Sequence, residues 1–93
     1  MVTVHIPTGL RAFTNGREAI EVEGDATLRQ IFDRLEAQAP GIKSQLIIDG
    51  DIQSGLAVFV NDEQTSEGLI QRIPADADIR LLPAMGGGGW HRA

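Results

Sequence analysis

The chain has no cysteine. That single absence removes disulfides, thiolate metal sites and a cysteine nucleophile together. Basic residues are also few, eight against thirteen acidic ones for a net charge of −5, and Lys43 is the only lysine. They are scattered, whereas phosphate neutralisation needs them clustered, so no nucleic-acid partner is expected. No apolar run approaches the roughly 20 residues of a membrane-spanning helix. The start, Met1-Val2-Thr3-Val4-His5-Ile6, lacks the basic region and long apolar stretch of a signal peptide, so the expected location is cytoplasmic. The two histidines, His5 and His91, stand far apart with no spaced His/Asp/Glu set, and no metal is expected. Asp49-Gly50-Asp51 lacks the remaining pattern and the closing Glu of a calcium loop, and reads as a turn.

What is present suits one small domain. An apolar fraction of 42% and a charged fraction of 23% over 93 residues are ordinary for a globular chain of this size. Val2, Val4 and Ile6 alternate with Thr3 and His5 at the period of a half-buried strand. Ile20 and Val22 against Glu21 and Glu23 repeat that pattern, and a loop carrying Leu10, Phe13 and the Asn15-Gly16 turn lies between. Thr27-Leu28-Arg29-Gln30 has the form of a capping box. Leu28, Ile31, Phe32, Leu35 and Ala39 then fall on one helical face, and Pro40-Gly41 stops the helix. A short helical turn is expected within 42–48, with Ile42, Leu46 and Ile47 closing one end of the core. Ala57-Val58-Phe59-Val60-Asn61 reads as a strand ended by Asn61-Asp62. Leu69, Ile70 and Ile73 sit on a loop or helical turn, and Ile79-Arg80-Leu81-Leu82 forms the last strand.

One long helix and about four to five strands bury their apolar faces when the helix packs across one side of a mixed sheet. Pairing the last strand beside the first makes those two neighbours parallel, with the helix in the crossover. The fold class is therefore α+β, the β-grasp or ubiquitin-like arrangement. The expected domain spans 1–85, followed by a tail over 86–93.

That tail opens with four consecutive glycines, Gly86 to Gly89, and continues Trp90-His91-Arg92-Ala93. Glycine has no side chain to bury and the largest entropy to lose on ordering, so this stretch is not core. Its two readings are an idle tail and a strand that another protein threads and holds.

The chain resembles the small ubiquitin-like sulfur carriers of prokaryotes: those of molybdopterin and thiamine synthesis, and above all the actinobacterial cysteine-biosynthesis branch. The resemblance rests on Val4-His5-Ile6-Pro7-Thr8, Gly24-Asp25, Leu35-Glu36-Ala37 and Pro40-Gly41-Ile42. Its most specific parts are Val58-Phe59-Val60-Asn61-Asp62-Glu63 and the closing Leu82-Pro83-Ala84 that runs into the glycines. The resemblance implies a protein cosubstrate, not an enzyme, that binds no cofactor. An E1-like adenylating and sulfur-transfer enzyme would use ATP to activate its terminal glycine, and the resulting thiocarboxylate would serve a sulfur-accepting synthase. The receiving pathway stays open among cysteine or methionine, thiamine, molybdopterin and a secondary metabolite.

One departure matters. A peptide bond follows Gly89, so the chain as written has no glycine carboxylate to activate. The resemblance implies removal of Trp90, His91, Arg92 and Ala93 by a JAMM-type metalloprotease. The exposed end would be Gly88, in register with the family, or Gly89, directly before Trp90, with Gly87 and Gly86 behind it. Arg80, Leu82 and Met85 adjoin the tail and are candidates for the partner-facing surface, although Leu82 reads equally well as core. Two other functions fit: a ubiquitin-like modifier joined to lysines through its glycine, and a non-catalytic β-grasp interaction module.

Overall fold

A computed structural model describes residues 1–83. Strand β1 (Val2–His5) leads through a 3-10 helix (Thr8–Thr14) into β2 (Ala19–Val22). Next come β3 (Ala26–Thr27), α1 (Leu28–Gln38) and α2 (Lys43–Leu46). The second half holds β4 (Ile47–Ile48), β5 (Asp51–Ile52), β6 (Leu56–Val60) and β7 (Glu63–Gln64). A second 3-10 helix (Gly68–Ile70), β8 (Arg72–Ile73) and β9 (Asp78–Pro83) complete it. The main sheet has the order β2-β1-β9-β6-β7. β1 and β9 run parallel, with Val4 opposite Ile79, and the other neighbours are antiparallel. This is the expected β-grasp.

Helix α1 begins as its sequence dictates. The Thr27 hydroxyl accepts from the Gln30 backbone amide at 3.3 Å, and the Gln30 side-chain Oε1 accepts from the Thr27 backbone amide at 3.0 Å. Its apolar face, Leu28, Ile31, Phe32 and Leu35, is fully buried, with Ala39 buried just past the helix. Across from it lie the inward residues of the sheet: Val2, Val4, Ile20, Val22, Val58, Val60, Ile79 and Leu81. The polar flank of α1 also works: Gln38 Nε2 donates to the Glu21 carbonyl and Arg34 Nη1 to the Glu23 carbonyl, both at 2.8 Å. These donors occupy acceptors along the outer edge of β2, which would otherwise be open to pairing with another chain. Gly24, where β2 ends, is required for a different reason. A Cβ there would stand 2.4 Å from the Ala75 carbonyl oxygen, a backbone atom that cannot step aside.

Several short elements differ from the sequence expectation. The loop carrying Leu10 and Phe13 is a 3-10 helix, with Leu10 buried and Phe13 packed against the core. α2 is the expected helical turn, but Ile47 and Ile48 leave it as a strand paired with Asp51 and Ile52. Asp49 and Gly50 both have positive φ, the requirement of a type I′ hairpin turn. Asn61 and Asp62 do the same and return the chain as β7, so the strand they end becomes a hairpin. Ile73 pairs with Ala26 as β8 against β3. The last strand starts one residue earlier than expected and extends to Pro83. Strands of two residues carry too little periodicity to be read from sequence.

Glu36 has a role that its place on the polar helix face conceals. Its carboxylate accepts from the Gly41 amide at 2.9 Å and the Lys43 amide at 2.8 Å, tying the end of α1 to the start of α2. These two bonds, Gly41 first, hold its pKa below the ordinary carboxylate value, and the Lys43 charge adds to them. A depressed folded pKa contributes stability that is present above the unfolded value of about 4.3 and lost as pH falls through the folded one. The unfolding midpoint of the native chain will therefore fall more steeply between neutral and acid pH than that of Glu36→Gln. Thermal melts at matched pH values measure the difference, and parallel curves would remove this role.

Candidate functional site

The alternation of β9 decides which of its residues face outward. Ile79 and Leu81 are buried under α1, so Asp78, Arg80 and Leu82 point to the opposite, open side of the sheet. Leu82 is 45% exposed, which settles the choice between core and surface in favour of surface. Arg80 lies opposite His5 on β1 and Phe59 on β6, so these three form a row across the middle of the sheet. Ala57 lies beside Leu82. The open face thus carries a half-buried apolar strip, Phe59, Ala57 and Leu82, with a guanidinium among them.

Asp78 organises the charges of this face. Its Oδ1 meets His5 Nε2 at 2.6 Å and its Oδ2 meets Arg80 Nε at 3.4 Å. The His5 and Asp78 side chains are 37% and 41% exposed, so solvent screens the pair and its value is orientation more than energy. Asp78 is in turn held by Asn61, whose side-chain oxygen accepts from the Asp78 amide at 2.9 Å. The Asn61 amide donates back to the Asp78 carbonyl at 2.8 Å. The Asn-Asp-Glu turn therefore pins the start of β9 and with it the phase that presents Arg80 and Leu82.

Beside the end of β9 the sheet opens. β1 stops at His5 and the chain turns away through Pro7, while β9 continues to Pro83. The groove left between them has a volume of about 730 Å³ and is lined on its apolar side by Ile6, Pro7, Ala19, Leu81 and Leu82.

Of the candidates read from the sequence, Arg80 and Leu82 come together on this face. Met85, Gly86 to Gly89 and Trp90 to Ala93 lie outside the described residues. His5, Asp78 and Phe59 join the face without having been singled out for it. Their strand phase contained the signal, because His5 alternates with Val4 and Asp78 with Ile79, but the register that aligns the two strands did not follow from either one. Among the described residues no three His, Asp or Glu side chains converge as a metal site. No helix of the described residues is long and apolar enough to cross a membrane.

The ThiS family profile matches residues 4–88, nearly the whole chain. The chain belongs to the ThiS family. It is 37% identical over 92 residues to the sulfur carrier protein CysO of Mycobacterium tuberculosis, covering 94% of this chain and 98% of the relative. The solved structure of the Amycolatopsis orientalis BexX/CysO complex contains a chain 38% identical with a TM-score of 0.86, covering 95% of this chain and all of that one. The crystal structure of M. tuberculosis CysO is 36% identical with a TM-score of 0.84, covering 91% of this chain and all of its own. This member of the ThiS family is a homologue of a sulfur carrier, a small ubiquitin-like carrier by fold and by kinship.

Proposed function

We propose that the protein is a sulfur carrier whose reactive atom is the carboxyl carbon of a terminal glycine, Gly88 or Gly89, freed when Trp90 to Ala93 are removed. The observation that carries this reading is the course of β9. It runs through the middle of the sheet between β1 and β6, anchored on both sides, and heads directly into Ala84-Met85 and the glycines. The reacting end is thus joined to a strand paired on both sides, while the glycines carry no side chain to obstruct a narrow channel. Extended, four glycines reach about 13 Å, enough to present an end to a buried site. The kinship with CysO supports the same reading.

The chemistry falls to partners. A JAMM-type metalloprotease hydrolyses the bond after the glycine. The freed carboxylate attacks the α-phosphate of ATP on an E1-like enzyme, pyrophosphate leaves, and an acyl-adenylate forms. A hydrosulfide-level donor then displaces AMP and leaves the thiocarboxylate, from which a synthase takes sulfur. Cysteine biosynthesis is the favoured destination. The carrier contributes a docking face, on which Leu82 and Phe59 supply apolar area and Arg80 a cation for an acidic partner surface. It acts in the cytoplasm as a cosubstrate and binds no cofactor of its own.

Incubation with a lysate of the source cells and ATP, followed by mass spectrometry, tests this. The expected species ends in glycine and is heavier by one oxygen-to-sulfur exchange. Persistence of the full-length mass while the pathway runs would sink the processing step. A ladder of higher-mass conjugates without a thiocarboxylate would instead establish a protein modifier.

A further inference from the structure

The edge of β9 that borders the groove loses its neighbour at one residue. The Thr3 amide donates to the Ala77 carbonyl at 3.1 Å, which fixes the phase of the parallel pair. Ladder bonds of such a pair recur at every second residue. The next donors along β1 are therefore His5, to Ile79, and then residue 7, to Leu81. Residue 7 is Pro7, which has no amide hydrogen to give. The Leu81 carbonyl thus faces the groove without the donor that a continued β1 would bring. The outer edge of β2 has Gln38 and Arg34 laid across its carbonyls, and no side chain of the described residues does the same for Leu81.

The side chains around this edge give the groove a sign. Arg11 and Arg80 line it against one carboxylate, Glu18, in a chain whose net charge is −5. Arg11 is held there, because its Nε donates to the Ile6 carbonyl at 3.2 Å, and among the described residues it makes no ion pair. Arg80 and Leu82 project from one face of β9, two residues apart. We infer that the groove receives an extended, acidic segment of a partner protein, added to this edge of β9 as a further strand. An amide of the segment donates to the Leu81 carbonyl. One apolar side chain lies against Leu82 and Pro7, and a carboxylate two positions from it on the same face meets Arg80. Arg11 is the second cation for the segment's acidic residues. Charge complementarity selects the occupant, since a basic segment would face two guanidinium groups. The volume of about 730 Å³ lies within the roughly 300–1,000 Å³ of sites for drug-sized ligands, which suits a few residues of a peptide.

This gives a chemistry to the partner at the docking face proposed above. It rests on that reading for the partner's place in the reaction, not for the binding itself. Binding through charge also weakens with salt, and the half-exposed Arg80 makes that dependence measurable.

The test is a titration of the isotope-labelled full-length protein with the capped peptide Thr-Glu-Thr-Leu-Thr-Glu-Thr, read by amide chemical shifts. Its glutamates stand two residues from the leucine on each side, so either strand direction is served. Saturable shifts are expected at Ile6, Thr8, Ala19 and Leu82, with affinity at least tenfold above that of the peptide carrying lysine for both glutamates. Methylating the amides of Glu, Leu and Glu, or instead those of the threonines, should change affinity unequally by at least fivefold, because only one set faces Leu81. Arg11→Glu and Leu82→Glu should each weaken binding at least tenfold with unchanged far-UV circular dichroism. Arg29→Glu, the same charge change at an exposed position of α1, should weaken it less than twofold. Equal affinity for the two peptides would overturn the inference, and so would binding indifferent to both groove variants. Equal effects of the two methylation patterns would remove the added strand and the inference with it. The same shifts from sodium acetate at equal carboxylate concentration would assign the groove to a small anion and overturn it as well. None of these measurements involves activation. Peptide binding by a protein that no enzyme activates would leave this inference standing and remove the proposed function. Thiocarboxylate formation by a protein that ignores the peptide would do the reverse.

Discussion

A chain ending at Met85 will unfold at the temperature of the full-length protein and will give no ATP–pyrophosphate exchange with the activating enzyme. Among the described residues every member of the core cluster lies at or before Leu81, and the truncated stretch opens with four glycines that have no side chain to pack. Its effect on stability should stay within about 0.5 kcal/mol, as for surface changes generally. The effect on activation is complete, because the new carboxylate, on Met85, stops three or four residues short of the proposed reacting end and has a side chain beside it. Chains ending at Gly88 and at Gly89 separate the two possible ends, and the one that supports exchange identifies the reacting residue. The full-length chain should be silent until it is cut. Exchange by the uncut protein would overturn the blocked-end argument. Unfolding of the truncated chain would overturn the division into body and tail.

Phe32→Ala should destabilise the protein by about 3–5 kcal/mol, the usual range for removing a fully buried aromatic ring. Phe32 has no exposed surface and is the largest side chain buried to that degree. It lies on the face of α1 that covers the sheet, where surrounding strands are tied by hydrogen bonds and cannot collapse into the void. At about 4–8 °C per kcal/mol for a domain of this size, the melting midpoint should fall by well over 10 °C. Urea denaturation with an unchanged slope would assign the loss to the folded state. A loss below about 1 kcal/mol would mean that the helix does not seat on the sheet as described.

Much of this architecture could be read from the sequence because its signals are local. The capping box at Thr27, the apolar face from Leu28 to Ala39 and the alternations at Val2, Ile20, Val58 and Ile79 each depend on near neighbours. The two-residue strands could not be read so, since each owes its existence to a partner far along the chain. Ile73 pairs with Ala26, and no local pattern announces it. Glu36 is a similar case. Its charge and helical phase mark it as solvent-facing, yet two amides beyond the helix end claim its carboxylate.

The sequence by itself determined the longer elements, their order and the family resemblance, together with the chemical character of the end: glycines without side chains, followed by four further residues. Only the tertiary structure decided what lies beside that end. Whether Leu82 is core or surface depends on its phase against α1. Whether His5 meets Asp78 depends on a parallel register between residues 73 positions apart. The groove exists because β1 turns away at Pro7 while β9 continues. Side-chain chemistry and local periodicity are written along the chain, but adjacency between distant segments is created by burying apolar faces together.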